Sequence, residues 1–146
     1  MRNRLVSQNL RVSHYKSNGG VFISYDPDLN PIPLHWKSGC FGDVSSLFSG
    51  HPFDGGEYSF DKGITVLRGE NVTERKLRWD SHKMWGSEIP PKAKNCFLKE
   101  RDIVIGMDGS KVGKNWAVVS HYDLPMLLAQ RVACVRANKE QWQSYL

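Results

Sequence analysis

Apolar residues in this chain come in short runs separated by stretches rich in glycine, proline and charge. Val21-Phe22-Ile23, Ile64-Thr65-Val66-Leu67, Ile103-Val104-Ile105 and Trp116-Ala117-Val118-Val119 are dominated by β-branched and aromatic residues, which favour strands. Ile103–Ile105 is followed by Asp108-Gly109 and Gly113, then by the apolar run from Trp116. That spacing predicts a hairpin, with Ser110, Lys111 and Lys114 at or near its tip. Val21–Tyr25 predicts an earlier strand, stopped by Asp26-Pro27. Pro27, Pro31 and Pro33 predict an irregular, stiffened connection over Asp26–Pro33. Leu5, Val6, Leu10 and Val12 fit a strand and one face of a helix equally well.

Gly42-Asp43 predicts the start of a short element covering Val44, Leu47 and Phe48, with Asp43 as N-cap and Gly50 as stop. The following glycine-rich loop carries His51, Phe53, Tyr58 and Phe60. Phe53 and Phe60 are expected to plug the core, while Tyr58 is assigned no place. Ile64–Leu67 predicts a strand running into Arg68-Gly69-Glu70-Asn71. Leu77 and Trp79 alternate with Arg78 as in a brief strand, and Pro90-Pro91 excludes a regular helix there. Tyr122-Asp123-Leu124-Pro125 reads as a turn. Arg131–Arg136 predicts a strand, and the tail from Lys139 predicts a helix start with Trp142 and Tyr145 on one face. The pattern is that of an α+β protein: one compact domain with a mixed, strand-rich twisted sheet, short helices and long Gly/aromatic loops. Residues 1–32 read as a basic arm and lead-in strand, and residues 33–146 as the body.

At 146 residues the chain is long enough for one core. The net charge of +5 is unevenly spread. Residues 1–25 hold Arg2, Arg4, Arg11 and Lys16 and no acid, and residues 68–99 hold eight bases against four acids. Trp79 and Trp85 interrupt the second region. Basic stretches with interleaved rings suit a polyanion, or else a solvated surface. Three separated cysteines, Cys40, Cys96 and Cys134, match no zinc spacing and read as buried free thiols in a reducing, cytoplasmic setting. No apolar stretch has the length of a membrane span, so no membrane partner is expected.

Catalytic patterns fit poorly. Gly109–Lys114 has too few spacers for a phosphate-binding loop, and Asn115 follows instead of Ser or Thr. The five histidines are isolated, so neither a metal nor another cofactor is expected. Asp102 and Asp108 flank a strand with Lys111 beyond, as in a metal-dependent nuclease, but no further carboxylate arrives with the second strand.

Several segments together resemble the target recognition domain of the specificity subunit of Type I restriction–modification enzymes. They are Pro33–Asp43 (PLHWKSGCFGD), Gly50–Phe53 (GHPF), Val66–Asn71 (VLRGEN), Trp79-Asp80 with Lys83-Met84-Trp85, Leu98–Lys114 and Leu128–Ala133 (LAQRVA). They occur in family order from about Pro33 onward. The resemblance implies a non-catalytic prokaryotic protein that reads one half of a split duplex DNA target. Its implied partners are DNA, a DNA methyltransferase subunit and, through it, a restriction subunit. A second such domain and the long helices that the resemblance implies are absent from the sequence. A fragment, a relic, or a half-subunit that self-associates is therefore expected, incomplete at its C-terminus.

Donor chemistry and loop position nominate Arg68, Asn71 and Arg78 for base edges. Arg75, Lys76, Lys83, Lys111 and Lys114 are nominated for phosphates. Asp108, Gly109, Ser110, Gly113 and Gln130 are assigned to loop architecture. An alternative for Arg68 and Asn71 is a loop-internal network with Glu70. The rival functions are a protein-interaction fragment and, less favoured, the nuclease.

Overall fold

The computed structural model describes residues 13–17, 20–24, 32–33, 40–109 and 112–146. The chain divides into two compact units, Met1–Gly39 and Cys40–Leu146. In the first, strands β1 (Ser13–Ser17), β2 (Gly20–Ser24) and β3 (Ile32–Pro33) form an antiparallel sheet in that order. The strand expected at Val21–Tyr25 is β2, beginning one residue earlier. The connection expected to stay irregular to Pro33 ends in β3, where Pro33 sits opposite Phe22. Proline is tolerated there because β3 is an edge strand. Residues 1–12 and Trp36 lie outside the described residues.

The second unit opens with a single helical turn, α1 (Phe41–Val44), which passes directly into strand β4 (Ser45–Ser49). Asp43 was expected to be the N-cap, but that position belongs to Cys40. The Cys40 N–H donates to the Asp43 carboxylate at 2.7 Å, so Asp43 closes the turn from its third position. The helix goes no further because strand pairing takes over from Ser45 to Ser49. The remaining strands are β5 (Tyr58–Ser59), β6 (Ile64–Leu67), β7 (Val72–Thr73), β8 (Lys76–Leu77), β9 (Met84–Trp85), β10 (Ile103–Gly106), β11 (Trp116–Val118), β12 (Met126–Leu128) and β13 (Val132–Ala137). One four-stranded sheet, β11-β10-β13-β4, is antiparallel. The other, β12-β6-β9-β5, is mixed, with β12 parallel to β6. β7 and β8 form a small hairpin. The class is α+β, as the alternation of short apolar runs and breakers predicts.

The expected hairpin is β10–β11, with Val104 opposite Ala117. The strand expected over Arg131–Arg136 is β13, but Arg131 belongs to the preceding turn. Strand β12 had no distinct signal, because Met126-Leu127-Leu128-Ala129 is apolar at every position. Its structure explains why. Met126 and Leu128 face one core cluster, with Leu67, Val104, Val132 and Cys134. Leu127 and Ala129 face a second cluster, with Phe53, Val66, Trp85 and Ala93. A strand buried on both faces shows no alternation. Gly50 lies against this strand so closely that a Cβ there would stand 2.2 Å from the Ala129 carbonyl oxygen.

The antiparallel sheet is fastened by a buried ion pair. Arg136 on β13 donates from Nε to Asp102 Oδ1 at 2.8 Å and from Nη2 to Oδ2 at 2.6 Å. Asp102 is only 1% exposed. Its carboxylate also accepts from the Lys99 N–H, and its carbonyl accepts from the Val119 N–H. Arg136 donates further to the Phe97 carbonyl and lies over the Phe48 ring.

Three local expectations are corrected. Phe60 is 75% exposed and plugs nothing, whereas Phe53 is buried against Trp85. The segment Asp61-Lys62-Gly63 after Phe60 turns the chain before β6, so its ring has no sheet to enter. The tail is a 3-10 turn, Glu140–Tyr145, and Tyr145 is exposed while Trp142 is half-buried. Lys139 Nζ lies 4.6 Å from the Trp142 ring centre and covers that ring, while Tyr145 stands out in solvent. Cys40 is exposed, and only Cys96 and Cys134 are buried.

Two outcomes are expected. Asp102→Ala leaves a half-buried guanidinium without its counterion and should cost about 3–5 kcal/mol, measured by urea unfolding. A loss below about 1 kcal/mol would contradict the fastening role. Burial, reinforced by the Asp102 charge, pushes the Cys134 thiol up to about 12, and burial raises Cys96 as well. Below those raised values both thiols stay protonated in the native state. At pH 9 a thiol-labelling reagent should therefore modify Cys40 alone in the native protein, and all three cysteines after denaturation.

Candidate nucleic-acid interface

Loops from the two sheets of the second unit meet around one groove of about 710 Å³. Its wall includes Tyr58, Arg68, Glu70, Asp108, Gln130 and Arg131. Three local structures put them there. Strand β6 ends at Leu67 and enters a 3-10 turn, Gly69–Asn71. Strand β10 ends at Gly106 and delivers Asp108-Gly109. Strand β12 ends at Leu128 and is followed by the turn holding Gln130 and Arg131.

The first turn is locked by Asn71. This residue is 1% exposed. Its Oδ1 accepts from the Arg68 N–H, and its Nδ2 donates to the carbonyls of Arg78 and Ser81. Asn71 was a base-edge candidate. A buried amide with both ends engaged in the fold does not reach a base, so that assignment is withdrawn. Arg68, the second candidate, has Nη1 2.6 Å from Glu70 Oε1, an ionic approach without hydrogen-bond alignment. Glu70 Oε1 also accepts from the Ser81 hydroxyl. The alternative reading of a loop-internal network around Glu70 describes this geometry. Arg78, the third candidate, lies on the surface beside Asp80 at 3.1 Å.

The second and third turns are tied to each other. Arg131 Nη1 donates to Asp108 Oδ2 at 3.2 Å, and the Met107 N–H donates to the Arg131 carbonyl. Gly109 and Gly113 have φ of +85° and +83°, where glycine is unstrained, as the turn reading requires. The Asp108 side chain meets Arg131 across the two turns. The Gln130 backbone N–H donates to the His51 carbonyl, and its side chain is exposed. Ser110 and Lys111 lie outside the described residues. Lys114 is exposed near this tip.

A cationic and aromatic rim adjoins the groove. The Arg68 guanidinium carbon lies 5.5 Å from the Tyr58 ring centre, and Lys83 Nζ lies 5.3 Å from it and 5.9 Å from that of Phe60. Burial raises the Tyr58 phenol above its usual value, Arg68 lowers it and Glu70 raises it. The phenol is thus a neutral donor near pH 7. Arg75 and Lys76 are exposed at the turn and first strand residue of the β7–β8 hairpin, and Arg75 adopts φ of +64°. They do not line the groove.

The sequence reading did not place Arg131 or Tyr58 in the site. Gln130-Arg131 is a polar pair interrupting an otherwise apolar stretch from Met126 to Val135, which was the available signal. Asp102 and Asp108 do not form a carboxylate pair: the former is buried under Arg136 and the latter faces the groove. Among the described residues, no three His, Cys, Asp or Glu side chains gather as metal ligands. No helix among them is long and apolar enough to cross a membrane.

No protein-family model matches the chain. Over 104 residues the chain is 30% identical to the Type I restriction enzyme EcoAI specificity subunit of Escherichia coli. The match takes in 70% of this chain but 18% of the relative. The chain thus carries a region related to a Type I specificity subunit.

The Asn71 network has a measurable consequence. Asn71→Ala orphans the Arg68 N–H and two carbonyls in a buried turn. It is expected to destabilise the protein by about 2–3 kcal/mol in urea unfolding. A change under about 0.5 kcal/mol would show that water replaces these bonds.

Proposed function

We propose that this chain recognises duplex DNA as the reading component of a restriction–modification system, with no catalysis of its own. The observation that carries the proposal is the relationship over 104 residues to a specificity subunit. The arrangement of the second unit supports it. Loop ends from separate strands converge on one concave surface, and Arg68, Lys83 and Arg131 stand on or beside it. Arg75, Lys76, Arg78 and Lys114 add exposed positive charge elsewhere on the unit. Phosphate contacts from such cations supply affinity and orientation, and base contacts supply sequence information.

In this reading the protein reads one half of a split target. It guides a methyltransferase subunit and, through that subunit, a restriction subunit. Arg68 and Arg78 remain the candidates for base edges, since a guanidinium fork matches the guanine O6 and N7 acceptors. Arg75, Lys76, Lys83, Lys111 and Lys114 are the phosphate candidates. Asp108, Gly109, Gly113 and Gln130 hold the loops.

Duplex binding by the full chain should weaken steeply with salt. Each phosphate neutralised contributes about 0.9 to the slope of log affinity against log salt. Arg75→Ala with Lys76→Ala should lower the slope by about 2. Fluorescence anisotropy with mixed-sequence duplexes at several salt concentrations measures this. Absence of binding at low salt would reject the DNA reading and favour a protein-interaction role.

A further inference from the structure

We propose that the groove is a sequence-independent anchor for the DNA phosphate backbone. In it, Arg131 exchanges Asp108 for a phosphate oxygen, beside the Arg68–Glu70 pair. The proposal rests on the DNA reading above and deepens it. It adds Arg131 to the contacts and gives Asp108 a role as charge guard.

The groove presents two guanidinium groups and two carboxylates, so its formal charge is balanced without a ligand. Each arginine already holds an oxyanion. A guanidinium that donates to a carboxylate can donate to a phosphate in the same way. What matters is how readily the carboxylate is given up. The Arg131 and Asp108 side chains are 71% and 52% exposed. An ion pair in that setting is worth under about 1 kcal/mol, so opening it costs little. The Arg136–Asp102 pair is the internal contrast. Its side chains are 22% and 1% exposed, and its carboxylate is held by further backbone bonds, so it does not exchange.

The backbone at Arg131 supports the same assignment. Its φ of +65° is a conformation glycine adopts without strain and arginine does not. The turn is held through the Arg131 carbonyl, which accepts from the Met107 N–H. The turn itself therefore does not require a guanidinium. The side chain reaches from that turn to the groove wall, where its recorded partner is Asp108.

Asp108 then acts as a guard. With both carboxylates in place, a loosely docked phosphate meets two negative groups as well as two positive ones. Net attraction appears only when the backbone lies where Arg131 engages it in place of Asp108. Removing the guard should strengthen indiscriminate binding, and removing Arg131 should weaken all sequences alike.

The test uses the full 146-residue chain. A mixed-sequence duplex is titrated by anisotropy between about 50 and 300 mM salt, alongside thermal melting of each variant. Arg131→Gly should lower the salt slope by about 1 with no fall in Tm, because the backbone strain is relieved. Arg131→Lys should restore the slope. Asp108→Asn should tighten binding about three- to tenfold. An unchanged slope in Arg131→Gly, or weaker binding in Asp108→Asn, overturns the anchor while leaving the DNA reading in place. A parallel fall in Tm and slope that Arg131→Lys does not repair assigns Arg131 to structure and likewise overturns it. No wild-type binding at low salt overturns the DNA reading and the anchor together. Should Arg131→Gly fail to fold, Asp108→Asn decides by itself, since it is an isosteric change at an exposed site.

Discussion

The buried pair between Asp102 and Arg136 is the constraint on which the second unit's geometry depends. Asp102 stands immediately before β10, and Arg136 lies on the neighbouring β13. Their two-pronged contact fixes where β10 begins, and the backbone bonds of Asp102 fix the loop before it and the end of β11. A buried ion pair adds little net stability compared with a well-packed apolar pair of the same shape. What this one supplies is position. Because the start of β10 is set, so is its far end, and Asp108 emerges at a defined point on the groove wall.

The same kind of interaction serves a different purpose at each depth in this protein. At Asp102–Arg136 the charges are shielded from water and surrounded by fixed hydrogen bonds, so the pair behaves as a rivet. At Asp108–Arg131 solvent competes for both groups, and the pair is an arrangement of side chains open to replacement. Arg68–Glu70 lies between, half-buried and shared with Ser81. The pair in the antiparallel sheet is thus better shielded from water than either pair at the groove wall.

Much of the fold was legible in the sequence where an apolar run is β-branched and sharply bounded. β2, β6, β10 and β11 all follow β-branched runs bounded by turn residues, and the positive φ at Gly109 and Gly113 follows from the turn chemistry. The failures have physical causes. β12 gave no alternation because both its faces are covered. Phe60 was taken for a plug because ring chemistry says nothing of whether a sheet is within reach. Asn71 was read by its donors and acceptors, which serve the backbone of its own turn as well as they serve a base. Arg131 looked like the first residue of an apolar strand, and only the fold turns it toward Asp108. The individual loops were visible, but their convergence on one groove depends on pairings between distant segments, which local pattern does not encode.

Those distant pairings set an order of events for the chain. Ser46 and Arg136 meet across β4 and β13 although they are 90 residues apart, and β6 finds its parallel partner only in β12. Contacts of such long sequence separation form slowly, since the intervening chain must first be closed into a loop. During synthesis, β4 and β6 therefore emerge well before the strands that complete their sheets. β6 meets β9 on one side, but β4 and the other edge of β6 stay unpaired until the segment from Met126 to Ala137 has left the ribosome. β12 and β13 close both sheets, so the groove between the loops exists only once the segment from Met126 to Ala137 has been made.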